Sequence, residues 1–565
     1  MVSKYTSCLV AAIMLGCASP ARFPLEDPLA RDPDQTPVAR APEEYYSPFA
    51  WDGANQSVFR PISRFFAVDP AGPARNVNAL DEVPDSSWFE NRLGVHAMTP
   101  EQVARGACPE ITLDSNAADG TWLIDKGKDN GANPGFRITV KGLGRFMLKS
   151  DPSEEPDRAT GATTIASRVY HALGYYAPCD SVVYFRPSLL ALKPGLTVTN
   201  NQGVKRPFDR ARLDDLLAHA SHRNGLVRMV ASAWLPGKPL GPYKYDGRRS
   251  DDPNDIIPHE DRRELRGARL VAAWLAHFDS REQNTMDVFL PIDPGKPKGK
   301  GYVRHYIIDL GDCFGSVWAA DGISRRLNHA YLLDTSYMAE DFVTLGAIER
   351  PWERAHMATK RFGYFSARDF EPDIWRGEYP NPAFGRMTEG DGAWLARILA
   401  RFDEPLVRAA VAQGKYLPVE ENYLAETLIA RRTAILRRYL TRLSPIADVS
   451  ATPTGLCGTD LARQTRIVPN EAVSFRARAF RGADHTPMQT RDLHLKGNDT
   501  PRVCLDLAHA QFGADVPNDD ARRYVIVDLD NGYAKGPLRA HLYDLGPQLG
   551  FRLVGVERPE NADAP

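Results

Sequence analysis

The sequence predicts an α+β protein in which a small lobe built on an antiparallel sheet precedes a large helical lobe and a C-terminal β domain. Three short runs of alternating apolar and polar residues, separated by Gly-rich turns, lie within the predicted small lobe, residues 121–242. Helical patterns dominate residues 243–445, the predicted large lobe. Alternating runs separated by Gly, Asn, Asp and Pro return over residues 455–560 and are typical of an antiparallel β-sandwich. A chain of 565 residues is long enough for each unit to bury its own core.

The first residues have the pattern of an export signal. Lys4 precedes an apolar run over residues 8–15, which is shorter than the ~20 residues that a membrane-spanning helix needs. The run ends in Leu-Gly-Cys17-Ala18, which resembles the lipobox of bacterial lipoproteins. This resemblance implies that residues 1–16 are a lipoprotein signal peptide and that Cys17 carries lipid. It also implies an anchor in the bacterial cell envelope, at the outer membrane because Ala18 follows the cysteine. A plain secretory signal and a chance apolar start are the alternatives.

Two segments follow the predicted anchor. Residues 17–46 are rich in Pro, Ala, Asp and Arg without apolar periodicity, which predicts a disordered tether. Residues 47–120 contain short motifs such as Asp-Ser-Ser-Trp-Phe-Glu, and we interpret them as an N-terminal cap that packs on the small lobe. No later stretch is long and apolar enough to cross a membrane, so a lipid anchor on a soluble body is the simplest predicted topology.

The three alternating runs of the small lobe predict a meander with a flexible first turn. Gly127, Gly131 and Gly135 lie in or beside that turn, and the third strand carries Lys149. Glycines let backbone N–H groups approach phosphate oxygens, and a lysine on a neighbouring strand can neutralise their charge. These residues therefore predict a phosphate-binding turn. An ordinary hairpin with a solvated lysine is the alternative.

Further polar residues follow a helix and a strand of the predicted large lobe. An apolar helical run leads into His277 and Asp279, and Asn284 follows five residues later. A β-rich run then ends in Ile-Ile-Asp309-Leu-Gly. Phosphoryl transfer needs one carboxylate to orient the attacking hydroxyl, and an Asn and an Asp to hold Mg²⁺ against the phosphates. The segment supplies these residues in that order, although Asp, Asn and Gly are also common in turns.

The pattern D-x4-N followed by I-D-x-G resembles the catalytic and metal-binding loops of the atypical kinase superfamily. Protein kinases, phosphoinositide kinases, HipA-type kinases and CotH-type spore-coat kinases have such loops. The resemblance implies a two-lobed kinase-like core in which Lys149 binds the phosphates of ATP. It implies that Asp279 is the catalytic carboxylate and that His277 braces its loop. Asn284 and Asp309 would hold Mg²⁺ or Mn²⁺.

Two more segments bear on this resemblance. Residues 225–242 look like the strand and hinge that face adenine, which would place Trp234 and Leu235 against the base; a core strand ended by a Pro/Gly turn is the alternative. The helix predicted over residues 163–173 ends in G-Y-x-x-P, as in the HipA and CotH types. It contains no acidic residue to pair with Lys149, which departs from the family and bears on activity more than on fold. The acids that could replace it lie in the preceding loop: Glu154, Glu155 and Asp157.

Charge and cysteine content restrict the partners and the compartment. A net charge of −2 gives no indication of a nucleic-acid partner. Of the seven cysteines, Cys8 leaves with the predicted signal and Cys17 takes lipid, which leaves five. Cys457 and Cys504 bracket much of the β domain and could form a disulfide in an oxidising compartment. The odd number leaves at least one thiol free.

Two functions of different classes are therefore compatible with the sequence. The first is an exported kinase-like enzyme that transfers phosphate from Mg²⁺- or Mn²⁺-bound ATP to an envelope protein, glycan or lipid. The second is a catalytically inactive kinase-like scaffold or binding lipoprotein of the envelope. The ordered Lys, Asp, Asn and Asp favour the first, whereas the acid-free helix and the scarcity of ATP outside the cytoplasm favour the second.

Overall fold

The computed structural model describes residues 22–26, 32–66, 72–128, 133–199, 204–315, 321–368, 370–482, 485–489, 493–496, 500–507 and 523–561. The predicted signal peptide, Cys17 and Gly131 lie outside these residues. Within them the chain has an α+β fold of helices and mostly antiparallel sheets, as the sequence predicts. None of the described helices combines the length and apolar character needed to cross a membrane.

The N-terminal part contains short helices joined by extended segments. Its helical elements are α1 (Phe49–Ala54), a π-helical turn (Asn55–Phe59), α2 (Arg60–Phe65) and α3 (Pro100–Arg105). The first three follow one another without a break and form one helical segment over residues 49–65. Thr99 begins α3 with a reciprocal capping box to Gln102, which satisfies N–H groups that the first helical turn leaves unpaired.

The described residues of the predicted tether, 17–46, pack on the body rather than being disordered. Asp34 is buried and accepts hydrogen bonds from the backbone N–H and the hydroxyl of Ser87. The backbone of Val38 pairs with that of Gly301. Polar and backbone contacts hold this segment together with scattered apolar ones, such as those of Val38 and Ala41, and scattered contacts leave no periodicity in the sequence.

The sheet predicted for the small lobe forms between residues 122 and 233. Its region contains β1 (Trp122–Lys128), β2 (Gly135–Val140), β3 (Gly144–Ser150), α4 (Arg158–Ala172), β4 (Asp180–Phe185), β5 (Leu190–Leu192), β6 (Thr197–Thr199), β7 (Lys205–Pro207), α5 (Arg210–His219), β8 (His222–Arg223) and β9 (Leu226–Ala233). Strands β1, β2 and β3 form the predicted meander. The order across the sheet is β4-β9-β3-β2-β1-β5, with β8 paired to β9, and β6 and β7 form a separate hairpin.

The two faces of this sheet have different neighbours. One face buries alternate side chains, including Phe136 and Leu148, in a core to which α5 contributes. The opposite face meets α4, where Arg228 of β9 donates a hydrogen bond to the hydroxyl of Thr160. Because successive side chains of a strand point to opposite faces, Lys149 lies on the face that α4 covers.

Residues 243–445 form a helical unit with a small sheet beside it. The elements from the hinge onward are β10 (Lys238–Gly241), α6 (Arg263–Leu275), β11 (Thr285–Pro291), β12 (Gly301–Ile307), α7 (Asp321–Arg326), α8 (Thr335–Thr344), α9 (Pro382–Gly385), α10 (Glu389–Leu399), α11 (Glu404–Ala412) and α12 (Pro418–Tyr439). Helix α6 lies against α9, α10 and α12. Its Trp274 is fully buried and donates its indole N–H to the carbonyl of Leu428 in α12, at 2.8 Å.

The N-terminal cap, predicted over residues 47–120 to pack on the small lobe, contacts α4 of that lobe and also the helices of the helical unit. Trp88 is buried in the same core as Trp274. Asp81 forms ion pairs with Arg263 of α6 and Arg397 of α10, and α3 packs on α4 and α11. These contacts join residues far apart in the sequence, so the motifs of the cap do not reveal them.

The C-terminal unit begins at Ile446, before the predicted start at residue 455. Its elements are β13 (Ile446–Thr452), β14 (Gly455–Asp460), α13 (Leu461–Gln464), β15 (Arg476–Arg481), β16 (Thr486–Pro487), β17 (Leu493–Lys496), β18 (Arg502–Leu507), β19 (Tyr524–Asp530), β20 (Leu538–Asp544) and β21 (Phe551–Glu557). Two antiparallel sheets, β13-β14-β18-β17 and β16-β15-β19-β20-β21, face a common core that includes Leu456, Leu505 and Val527.

Disulfides join two pairs of the described cysteines. Cys457 of β14 is bonded to Cys504 of β18, the pair that the sequence suggested. Cys108, which follows α3, is bonded to Cys179, which directly precedes β4. Cys313 is buried and carries a free thiol.

Candidate active site

Lys149 and Asp309 meet in the cleft between the first sheet and the helical unit. Lys149 is near the end of β3, and Asp309 follows β12 by two residues. The Lys149 Nζ to Asp309 Oδ1 distance is 2.6 Å, with 19% of the lysine side chain and 49% of the aspartate side chain exposed. The ammonium group holds the pKa of Asp309 below its usual value. Burial lowers the pKa of Lys149, but the Asp309 carboxylate outweighs that effect and raises it overall.

The backbone at Asp309 turns sharply so that the loop can lie on α4. Asp309 has a φ of 56°, a left-handed conformation that is uncommon for residues other than glycine. A 3₁₀ turn, Leu310–Asp312, follows. A Cβ at Gly311 would lie 3.2 Å from the Cβ of Ala159 and 3.4 Å from the hydroxyl of Thr163, so a glycine here allows the close approach of α4.

Asp279 lies in a group of acidic side chains. Its carboxylate is 2.6 Å from the Nε of Arg281, and the carboxyl groups of Glu378 and Asp312 lie close enough to raise its pKa or to have theirs raised by it. Burial is the main cause that raises the pKa of Asp279 and of Asp312 well above normal, and the neighbouring carboxyl groups add to it. Carboxyl groups this close together cannot all be ionised, so at least one of them keeps its proton.

Asn284 is fixed beside Asp279. The 3₁₀ turn Glu282–Asn284 carries it to the start of β11, and its side-chain amide donates a hydrogen bond to the Asp279 carbonyl at 2.8 Å. The side chain of Asn284 also hydrogen-bonds to the Asp279 carboxyl group, which favours the ionised form. The two predicted catalytic-loop residues therefore lie within hydrogen-bonding distance.

His277 connects the loop to α4 and does not reach the cleft surface. Its ring is fully buried, and its Nδ1 is 3.0 Å from the hydroxyl of Tyr170 in α4. Burial lowers the pKa of His277 to about 4, so the imidazole is neutral near pH 7. Ala276 before it takes a left-handed conformation that ends α6 and turns the chain. This geometry fits a bracing role and not direct proton transfer to a ligand.

Packing accounts for the two predicted phosphate-turn glycines that the structure describes. Gly127 lies within β1, where a Cβ would be 2.3 Å from Val198 and 2.8 Å from the ring of Phe208. Gly135 begins β2 opposite Lys149, where a Cβ would be 2.0 Å from the carbonyl oxygen of Leu148. Neither position needs a phosphate to explain its glycine.

Gly127→Ala should therefore reduce stability while leaving nucleotide affinity unchanged. The added methyl group overfills the core beside β1, and we expect a loss of about 1–3 kcal/mol in the free energy of unfolding, measured by urea titration. Gly385→Ala is the matched control, since a Cβ there has no neighbour within 4 Å. A loss of ATP affinity at unchanged stability would assign the phosphate role to Gly127 after all.

Trp234 and Leu235 directly follow β9, beside the start of β3. The guanidinium groups of Arg137 and Arg145 both lie over the indole of Trp234, at 5.1 and 5.2 Å from the ring centroid. The backbone N–H of Trp234 donates to the backbone carbonyl of Arg145 at 2.9 Å, and the side chains of Trp234 and Leu235 are partly buried. Arg145 and Lys149 are roughly 13 Å apart along β3. Trp234 and Leu235 therefore lie beside the same strand as Lys149 but at a distance from the Lys149–Asp309 ion pair.

None of the loop acids proposed as partners of Lys149 fills that role. Asp157 is engaged by Arg223 and Arg228, and Glu155 pairs with Arg158. No ion pair or hydrogen bond of the described residues connects Glu154 to Lys149, and α4 itself contains no acid.

Asp180, which the sequence did not single out, is the buried acid that acts on Lys149. It begins β4 and is paired across the sheet with Ser232, to which its side chain hydrogen-bonds. Its charge helps to raise the pKa of Lys149, and burial raises its own pKa to about 6. Finding Asp180 from sequence would have required knowing that β9 inserts between β3 and β4.

The donor atoms of this cleft suit a hard divalent cation. The oxygens of Asp279, Asn284, Asp309 and Asp312 are the ligand type that Mg²⁺ and Mn²⁺ prefer. A cation would also relieve the crowding that forces neighbouring carboxyl groups to share protons. In the described part of the chain, however, no three His, Cys, Asp or Glu side chains converge closely enough to hold a metal ion unaided. Phosphate oxygens of a nucleotide would therefore have to complete the coordination, as in phosphoryl-transfer sites.

Five of the sequence-derived residues lie close together. The structure brings Lys149, Asp309, Asp279, Asn284 and His277 to one region, and it adds the acids Asp180, Asp312 and Glu378. Comparison of the chain with protein-family models, with curated proteins and with solved structures gives no match.

Proposed function

We propose that the protein is an exported, membrane-anchored lipoprotein whose kinase-like domain transfers phosphate from Mg²⁺- or Mn²⁺-bound ATP to an envelope protein, glycan or lipid. The observation that carries the proposal is the 2.6 Å ion pair between Lys149 and Asp309. It connects a lysine of the three-strand meander to the aspartate that follows β12. The order of elements, a sheet that carries this partly buried lysine followed by a helical unit with the acidic loops, supports a two-lobed kinase-like core.

Each residue has a defined task in this proposal. Lys149 neutralises phosphate charge, and Asp309 and Asn284 supply oxygens to the cation. Asp279 accepts a hydrogen bond from the attacking hydroxyl and positions it. His277 holds the loop against α4 through Tyr170. The cation, when bound, offsets the charge that develops on the transferred phosphoryl group.

Export and anchoring have independent support. Disulfides such as Cys108–Cys179 and Cys457–Cys504 persist mainly in oxidising compartments outside the cytoplasm. The lipobox-like sequence before Cys17 supports lipid attachment in the cell envelope, at the outer membrane. The near-neutral charge gives no support for a nucleic-acid partner.

A catalytically inactive scaffold or binding lipoprotein is the second candidate. Helix α4 carries no acid, and the carboxylate of Asp279 is buried against Arg281 and Glu378 instead of facing an acceptor. This candidate retains the fold and the ion pair but transfers no phosphate.

Asp309→Ala should abolish metal-dependent stabilisation by ATP. For the native protein we expect ATP with Mg²⁺ or Mn²⁺, at about 100 times its dissociation constant, to add ~2.7 kcal/mol to the free energy of unfolding. A thermal-shift titration of the full mature protein in detergent measures this gain. Asp506→Ala, which breaks a similar Lys–Asp pair in the C-terminal unit, is the matched control and should keep the full effect.

The same titration separates the two candidate functions. Metal-dependent ATP binding that Asp309→Ala removes, together with release of labelled phosphate from ATP, supports the enzyme. Binding without any phosphate release supports the scaffold. Folded protein that shows no shift with any nucleotide rules out an ATP site at Lys149 and Asp309.

A further inference from the structure

The helical segment 49–65 and the residue after it expose a continuous row of large apolar side chains. The row consists of Trp51, Val58, Phe59, Ile62 and Phe66, which we term the apolar stripe. Its members recur at spacings of three, four and seven residues, which places them along one side of a helix. The rings of Trp51 and Phe59 stack at 5.6 Å while more than half of each side chain stays exposed. Exposed rows of this kind mark interaction surfaces.

The other side of the same segment contacts the candidate catalytic loop. The side-chain amide of Gln56 donates to one carboxylate oxygen of Glu282 at 2.8 Å, and Arg60 donates to the other at 2.7 Å. Glu282 lies between Asp279 and Asn284 in the chain. Whatever covers the apolar stripe is therefore separated from the loop by the width of one helix, roughly 10 Å.

The path of the N-terminal chain places the predicted lipid close to the body. Arg22 forms an ion pair with Glu557 at 2.5 Å, so the chain is fixed to the end of β21 only five residues after Cys17. Five extended residues span at most about 18 Å. A lipid on Cys17 would hold this end of the molecule near the bilayer.

Contacts connect this anchoring point to the region of the stripe. Arg558, next to Glu557, pairs with Asp81, and Asp81 pairs with Arg263 at the start of α6. One turn further along α6, Arg266 donates to the carbonyl of Gly72. Gly72 is six residues after the last member of the stripe, which limits their separation to about 20 Å.

We propose that the apolar stripe inserts into the head-group region of the membrane in which the protein is anchored. This inference assumes the lipid anchor at Cys17 that the proposed function includes. Aromatic side chains suit this location, since Trp and Tyr concentrate at membrane–water interfaces, and Tyr45 and Tyr46 lie exposed just before the stripe.

Insertion of the stripe affects which acceptor can reach the candidate active site. The loop that carries Asp279 and Asn284 would lie one helix away from the lipid head groups. An acceptor hydroxyl held at the membrane surface would reach it more readily than one on a freely diffusing molecule. The preferred acceptor class is therefore a hydroxyl group of a membrane-bound molecule.

A spin label at position 62 tests the insertion directly. We would attach it in Ile62→Cys, using the lipidated mature protein reconstituted on vesicles of phosphatidylethanolamine and phosphatidylglycerol. Leu549→Cys, in the hairpin at the opposite end of β21 from Glu557, is the control. Both side chains are more than half exposed, and the described native cysteines are either disulfide-bonded or buried, so labelling is selective.

We expect oxygen to relax the label at position 62 strongly on vesicles and a water-soluble nickel complex to relax it weakly, with the reverse at position 549. Equal access of the nickel complex to both labels would overturn the proposal. A second result would also overturn the proposal. If the label at position 62 is shielded from the nickel complex in detergent, and the shielding grows with protein concentration, a second copy of the protein covers the stripe.

The outcome is independent of nucleotide binding. Vesicle insertion needs no ATP, so the stripe can insert in a protein that fails the Asp309→Ala titration, and the reverse also holds. Mass spectrometry of the N-terminal peptide reports separately whether Cys17 carries lipid. Thermal unfolding of both labelled variants confirms that they fold.

Discussion

We expect the double variant Cys108→Ala/Cys179→Ala to lose about 4 kcal/mol in its free energy of unfolding, because the disulfide closes a long loop. The two cysteines are 71 residues apart in the sequence, and without the bond the unfolded chain gains the entropy of that open loop. We also expect ATP to bind roughly tenfold more weakly, a change of about 1.4 kcal/mol. Urea unfolding and an ATP titration of the same preparation measure the two effects.

The weaker binding follows from what Cys179 holds in place. Its carbonyl accepts a hydrogen bond from the N–H of Ala233 at 2.8 Å, and Asp180 is the next residue. The disulfide therefore fixes the junction of β4 and β9, next to the hinge residue Trp234 and to the acid that acts on Lys149. Without the bond this junction is less ordered, and a nucleotide must supply the ordering free energy itself.

The second disulfide provides a matched control. Cys457→Ala/Cys504→Ala opens a loop of comparable length, with a separation of 47 residues, and should also cost about 4 kcal/mol. It lies in the C-terminal unit, so the affinity for ATP should stay unchanged. Equal losses of affinity in both double variants would contradict a local role for Cys108–Cys179 and indicate a general effect of reduced stability.

Features that depend on local sequence were predictable. The meander β1-β2-β3 follows from alternating side chains and turn glycines, and Lys149 falls on the third strand as expected. Helix α4 follows from apolar residues at helical spacing, although it begins earlier than predicted. In each case the determining residues lie within a few positions of one another, so the pattern is visible without knowledge of the tertiary fold.

Features that depend on distant contacts were not predictable. Gly127 fits a phosphate turn by sequence, yet its glycine is explained by Val198 and Phe208, about seventy and eighty residues later, which the chain topology brings onto β1. The site acids Asp180 and Glu378 belong to segments without a recognisable motif. Their burial beside Lys149 or Asp279 results from strand order and loop packing, which a linear pattern does not encode.

Asp180→Asn should make the protein more stable at neutral pH and impair its binding of ATP. Burial raises the pKa of Asp180 to about 6 in the folded protein, from an ordinary value of 3.8. Between these two values the folded state holds a proton that the unfolded chain has released, so stability falls as the pH rises from about 4 to about 6. The amide of Asn does not titrate in this pH range. We therefore expect Asp180→Asn to gain roughly 2–3 kcal/mol in its free energy of unfolding at pH ~7.5 and nothing at pH ~4.

The loss of ATP affinity in Asp180→Asn follows from the neighbouring lysine. The carboxylate of Asp180 acts electrostatically on Lys149, and its removal leaves the ammonium group with Asp309 as its close partner. A cation that binds Asp309 would then leave the lysine without a negatively charged partner.

Asp309→Asn is the contrasting variant for urea titrations at both pH values. The pKa of Asp309 is lowered in the folded protein, so an amide at this position should reduce stability. The expected loss in the free energy of unfolding is less than about 1 kcal/mol because the ion pair is exposed. A stability loss in Asp180→Asn at neutral pH would contradict this expectation, because the attraction between the ionised carboxylate and Lys149 would then outweigh the cost of burying the carboxylate. If Asp180→Asn gains stability and loses affinity for ATP, the carboxylate of Asp180 serves binding at a cost in stability.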